Sequence, residues 1–108
     1  MIIDGVEQLD VPTAEQRLRD GWLLLDVRDA EEHAQARIPG SVFIPLSQIA
    51  QREGELPRDR PILVHCAGGA RSHAAARFLQ QRGHQAANLA HGITGWYRMG
   101  RPVDTGPA

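Results

Sequence analysis

The stretch Ile62–Leu63–Val64–His65–Cys66, followed by Ala67–Gly68–Gly69–Ala70–Arg71–Ser72, most narrows what this chain can fold into. Three apolar residues follow Pro61. They are too few for a helix of their own and read as a buried strand. Gly68 and Gly69 permit a sharp turn that points successive N–H groups inward. From Ser72 the spacing of Ala75, Phe78 and Leu79 becomes helical. The only cysteine of the chain, Cys66, stands at the strand's end. Its expected setting is a concave cup of backbone N–H groups at a helix N-terminus. Such a cup stabilises a thiolate and lowers the thiol pKa.

The rest of the chain alternates strand and helix signals. Val6–Leu9 reads as a short first strand. Thr13 and Gln16 have capping-box spacing just after Pro12, which predicts a helix to about Asp20, stopped by Gly21. Trp22–Val27 is nearly continuously apolar, as a strand covered on both faces should be. Asp29 is the expected N-cap of a short helix that Ile38–Pro39–Gly40 breaks. Ser41–Ile44 is expected as a strand, and Ser47 as the cap of a helix through about Arg52, ended by Gly54. After a helix over 72–82, Gln85–Leu89 reads as an Ala-rich strand and Ile93–Met99 as a last helix. Pro102–Ala108 reads as a frayed tail. This alternation implies an α/β fold, a parallel sheet with helices on both faces. Ligands of such sheets bind beyond the carboxyl ends of the strands, where Cys66 lies.

The 108 residues suit a single domain over 1–108, with its core at about 9–103 and a flexible tail at 104–108. A net charge of -1 gives no electrostatic case for nucleic acid. A lone cysteine makes neither an intrachain disulfide nor a four-ligand zinc site by itself, and suits a reducing compartment. With no basic, apolar leader pattern and no stretch of membrane-spanning length, the sequence reads as a cytoplasmic, soluble protein. We expect no metal and no cofactor.

Four motifs in order resemble the rhodanese-like sulfurtransferases in their small single-domain form. Leu25–Asp26–Val27–Arg28 with Glu31–Glu32 is similar to the family's first signature. Ile38–Pro39–Gly40–Ser41 resembles its Ile-Pro-Gly-Ala signature, and 66–72 resembles its six-residue active-site loop. Asn88–Leu89, then Gly92–Ile93 and Trp96, resembles its C-terminal signature. The resemblance spans roughly Leu9 to Val103. It implies a three-layer α/β/α fold with a five-stranded parallel sheet.

It also implies ping-pong sulfur transfer. The Cys66 thiolate would take a sulfane sulfur from a donor such as thiosulfate and hold it as a persulfide. A thiol, cyanide or a protein acceptor would then remove it. Ala67, Gly68, Gly69, Ala70 and Arg71 would form the binding loop, with Arg71 offering a planar donor fork to an oxyanion. The chain departs from the pattern at Ala36–Arg37, where Gly-His is usual, and at His91, where glycine is common. It also has Ala67 where a basic residue often stands, which leaves Arg71 as the only charged side chain of the loop.

Other readings were weighed against these. Cys66 as an inert core thiol is countered by its strand-end position and the glycine loop. Asp26 and Arg28, two apart, suit a structural ion pair or loop-bracing hydrogen bonds. His65 should face away from Cys66, because successive strand residues alternate sides. His33, His73 and His84 read as helix-face or loop histidines, and Trp22 and Trp96 as core. A cysteine phosphatase or arsenate reductase would need five residues between Cys and Arg, and here there are four. The shorter loop has one N–H fewer and suits a single sulfur better than phosphate. A non-catalytic rhodanese-like binding module, or a protein-specific sulfur carrier, is the alternative to the enzyme.

Overall fold

A computed structural model gives the architecture and describes residues 1–107. In chain order the strands are β1 (Ile2–Ile3), β2 (Val6–Leu9), β3 (Leu23–Asp26), β4 (Ala36–Arg37), β5 (Val42–Phe43), β6 (Ile62–His65), β7 (Ala86–Leu89) and β8 (Asp104–Thr105). The helices are α1 (Val11–Arg19), α2 (Ala30–Gln35), α3 (Ile49–Arg52), α4 (Ala70–Gln81) and α5 (Gly92–Arg98). Six strands form the main sheet in the order β1-β2-β7-β6-β3-β5. Pairings from β2 to β5 are parallel, whereas β1 pairs antiparallel with β2. The expected five-stranded parallel sheet is therefore present, and a sixth, antiparallel edge strand extends it. Ile2 and Ile3 are exposed, so no burial pattern marked them as a strand.

Alternation along the strands sorts the core into two layers. Leu23, Leu25, Ile62, Val64 and Ala86 face one side, against Ala75, Ala76 and Leu79 of α4 and Ile49 of α3. Leu24, Leu63, Ala87 and Leu89 face the other, against Ala14 of α1 and Ile93 and Trp96 of α5. Both tryptophans pack there, with the Trp96 indole N–H donating to the Pro102 carbonyl at 2.8 Å. β6 lies at the centre, with Val64 in register between Leu25 and Asn88. All four of its residues are buried, so its carboxyl end opens into the middle of the molecule.

Three local features differ from the sequence reading. The N-cap of α1 is Asp10, whose Oδ1 accepts the Thr13 N–H at 2.9 Å. Pro12 then lies in the first turn, where a missing N–H costs nothing. Ser47 makes no cap; a single 3-10 turn, Leu46–Gln48, leads into α3 instead. Residues 104–105, within the segment read as a frayed tail, pair antiparallel with β4, and the Arg37 guanidinium donates to the Gly106 carbonyl at 2.6 Å. Among the described residues, no helix is long and apolar enough to cross a membrane.

Leu63, fully buried at the centre of β6, should be among the most costly side chains to truncate. Leu63→Ala is expected to lower unfolding stability by about 3 kcal/mol in urea titrations. Ile2→Ala at the exposed edge should change it by less than about 0.5 kcal/mol.

Candidate active site

The site begins where β6 stops. Cys66 is 1% exposed and continues the alternation of Ile62 and Val64 toward the α4 side. After Ala67 and Gly68 the chain turns at Gly69, which has φ +112° and immediately precedes α4. A Cβ there would also collide with the Ala90 carbonyl oxygen, so only glycine fits. Gly68 lies in open space with no such requirement. The turn aims the Gly69 N–H at Cys66 Sγ, 3.1 Å away, and the Ser72 hydroxyl of the first turn of α4 approaches at 3.3 Å.

These donors decide the ionisation of the sulfur. Burial is the largest single influence and pushes the Cys66 thiol up. The Ser72 hydroxyl and the N–H groups of Ser72, Gly69 and Gly68 together outweigh it, and the thiol is held below its ordinary value. The loop is supported from behind by α5. Ile93 N–H donates to the Cys66 carbonyl at 3.0 Å and Thr94 N–H to the Ala67 carbonyl at 3.2 Å. Gly92, at φ +57°, passes so close to these carbonyls that a Cβ would overlap both. The Cys66 and Ala67 carbonyls thus face α5, while the Gly69 N–H faces the sulfur.

Ala70 opens α4 and is exposed. Arg71 follows, half-buried, and its guanidinium is already engaged. Nη1 and Nη2 donate to the two Glu32 carboxylate oxygens at 2.7 and 3.0 Å. This bidentate bond is the main reason the Glu32 carboxyl falls to about 2. Glu32 Oε1 also accepts the Asp29 N–H at the start of α2, so one carboxylate caps a helix and closes the loop. Glu32 is visible in sequence as a capping residue and as part of the first signature. Its pairing with Arg71, 39 residues away, leaves no local signal.

Asp26 and Arg28 lie on the opposite face of the sheet end. Arg28 Nη2 donates to Asp26 Oδ2 at 2.9 Å and to the Ala36 carbonyl at 2.6 Å. His33, read from sequence as a helix-face residue, instead places Nδ1 2.9 Å from Asp26 Oδ2 and stacks on Phe43. This cluster ties β3, α2 and β4 together and so fixes the helix that presents Glu32. His65 points to the same face, away from the sulfur, with Nε2 3.8 Å from Asp26 Oδ2. Burial pushes its pKa down despite the Asp26 charge, which keeps it neutral. His91 lines a cavity of about 400 Å³ beside the loop with Gly68, Thr94, Gly95, Arg98 and Met99.

Two polar residues that sequence reasoning left out of the site complete it. Ser72 contacts the sulfur, and its Oγ lies 2.6 Å from Asn88 Oδ1 on β7. A polar side chain among Ala86, Ala87 and Leu89 of a buried strand was the available signal.

A family model, the Rhodanese-like domain, matches residues 10–99. The chain belongs to the rhodanese-like family. It is 39% identical over 101 residues to a sulfurtransferase of Allochromatium vinosum, covering 91% of this chain and 94% of that one. It is 32% identical over 84 residues to the thiosulfate sulfurtransferase GlpE of Actinobacillus succinogenes, with 77% and 76% of the two chains covered. Among solved structures, the rhodanese-related protein of Thermoplasma volcanium superposes with a TM-score of 0.86 at 32% identity, over 91% of this chain and 97% of that one. In this rhodanese-like chain the Cys-to-Arg loop carries no charged side chain between its ends.

The Glu32–Arg71 pair gives a signed pH dependence. Folding lowers the Glu32 carboxyl from 4.5 to about 2. Between those values the unfolded chain holds more protons, so stability rises with pH there. Comparing wild type with Glu32→Gln in urea should show a deficit of about 1 kcal/mol for the variant near pH 7. The deficit should shrink as pH falls through 4.5 and vanish near pH 2.

Proposed function

We propose that this protein is a sulfurtransferase that carries sulfane sulfur as a persulfide on Cys66. The observation that carries this reading is the Gly69 N–H held 3.1 Å from a buried sulfur that lies at the carboxyl end of the central strand. The Cys66 thiolate attacks the outer sulfur of a donor. A new S–S bond forms, and the donor's bond to that sulfur breaks, its electron pair leaving with the donor remnant. For thiosulfate that remnant is sulfite. An acceptor thiolate, or cyanide, then attacks the outer sulfur and releases the Cys66 thiolate. Negative charge stays within reach of loop N–H groups in both steps, which is what a cup of dipoles stabilises.

Relatives named as sulfurtransferases support the reaction class. A second form of it, delivery to or from a protein partner, draws on one feature of the loop. Arg71, the loop's only charged side chain, is bound by Glu32, so a thiosulfate dianion meets a neutralised pair. A persulfide donor of low charge makes no such demand. A single reactive thiol works best where thiols stay reduced, which supports a cytoplasmic setting.

Intact mass of the reduced protein after incubation with thiosulfate, mercaptopyruvate or glutathione persulfide tests the reading. The expected result is gain of one sulfur in wild type and none in Cys66→Ser, with the persulfide donor loading more completely than thiosulfate. Loading that survives Cys66→Ser would overturn the assignment. Loading by none of the three would favour a protein donor or a binding module.

A further inference from the structure

We propose that Asn88 is a positioning residue that competes with the sulfur for the single proton of the Ser72 hydroxyl, and so makes Cys66 less acidic than its loop alone would. The inference rests on Cys66 as the reactive group. One hydrogen here has two acceptors within reach. Ser72 Oγ lies 3.3 Å from Cys66 Sγ and 2.6 Å from Asn88 Oδ1. A hydroxyl carries one proton and donates it once.

The orientation of the Asn88 amide is fixed by its other end. Asn88 Nδ2 donates to the Gly69 carbonyl at 3.0 Å and to Gln8 Oε1 at 2.8 Å. A carbonyl only accepts, so the nitrogen must face Gly69. Gln8 is fixed in turn, because its Nε2 donates to the Val6 carbonyl at 3.1 Å. Asn88 Oδ1 therefore faces Ser72 and accepts. The residue is 1% exposed, and water cannot replace a lost partner.

The proton's position then follows the state of the sulfur. As a thiol, Cys66 donates S–H to Ser72 Oγ, and the hydroxyl donates to Asn88 Oδ1, so every group is satisfied. As a thiolate, the sulfur needs the hydroxyl proton. Turning the hydroxyl to the sulfur strands Oδ1, a buried acceptor left without a partner. Leaving it on Asn88 keeps the thiolate on backbone N–H groups alone. Either way the anion is less favoured than with Ser72 free. A persulfide carries its charge on the outer sulfur, which makes the inner Sγ a weak acceptor and returns the hydroxyl to Asn88. The pair thus favours the thiol and the loaded persulfide over the naked thiolate between them.

The charged groups around the sulfur lie elsewhere. Arg71 of α4 attracts the thiolate and is held by Glu32 of α2. His65 and Asp26 occupy the other face of the sheet, and α5 presents backbone N–H groups to the loop. Substitutions at Asn88 leave all of these in place.

The test is the pH dependence of Cys66 alkylation by iodoacetamide, with thiolate ultraviolet absorbance as a second reading. It needs no sulfur donor, so its outcome is independent of whether the protein transfers sulfur. Ser72→Ala should raise the thiol pKa by about one unit, a lost hydrogen bond to an anion. Asn88→Ala should lower it by about half a unit to one unit, the opposite direction. Asn88→Val, better suited to a strand, keeps the test available if the alanine variant does not fold. On the Ser72→Ala background the Asn88 substitution should have no further effect. A thiol pKa that rises or stays constant in both Asn88 variants overturns the proposal. So does an equal lowering with and without Ser72, which would mean that Asn88 acts by another route.

Discussion

A sulfur buried at the end of a strand can be an anion only if the protein supplies what water would have supplied. Here the substitutes are the Ser72 hydroxyl and the N–H groups of Ser72, Gly69 and Gly68. The site follows from orienting the three peptide units whose N–H groups belong to Gly68, Gly69 and Ser72. Their N–H groups face Cys66 and their carbonyls face away, and both halves of that statement need support. The left-handed turn at Gly69 aims the donors. The N–H groups at the start of α5 donate to the carbonyls of Cys66 and Ala67, and Gly92 lets them come close enough to do so. Because burial alone would push the thiol up, the lowered pKa of Cys66 belongs to the geometry of the loop and of Ser72.

Charge is kept one step back from the sulfur. Arg71 is paired with Glu32, and Arg28 with Asp26, so these two cations near the sheet end each have a carboxylate partner. The two pairs are mechanically linked through α2. Its first turn supplies Glu32, and His33 and the Arg28 contact to Ala36 hold its far end against β3. An oxyanion approaching this loop would have to draw Arg71 away from a bidentate partner. A donor whose reacting sulfur bears little charge would not. In the proposed reaction the Glu32–Arg71 pair would therefore disfavour an oxyanion donor, while the loop's N–H groups would act on any sulfur that reaches Cys66.

The alternation of strands and helices was legible because the two periodicities, and the buried β6 run, are strong local signals. β3, β6 and the βα turn at Gly69 follow from them directly. Of the two-residue strands, only Val42–Phe43 was legible, within the Ser41–Ile44 run. Ile2–Ile3, Ala36–Arg37 and Asp104–Thr105 are too short to show a period, and what holds them is pairing with distant chain. Helix starts were legible to about one turn, since Asp10 and Thr13 are both competent caps and only the backbone at Asp10 decides. Of the site, Cys66 and its loop could be read because they are contiguous. Glu32, Ser72 and Asn88 take their roles from contacts across the fold, and a residue's type does not reveal a partner that folding brings from 16 or 39 positions away.

Asn88 shows why such contacts matter energetically. A buried amide in a strand is costly unless all of its hydrogen-bonding capacity is used. Here Nδ2 joins Gln8 of β2 to the Gly69 carbonyl, and Oδ1 meets Ser72. One side chain thus connects two strands, the loop and the first turn of α4, and every connection converges on the residue whose N–H reaches the sulfur. An apolar residue at 88 would sit between β7 and α4 without that cost. It would also leave the Gly69 carbonyl with the His73 N–H as its one donor, and the Ser72 hydroxyl free to settle on Cys66. The polar strand residue trades apolar packing for control of one peptide plane and one proton, both in contact with the thiol.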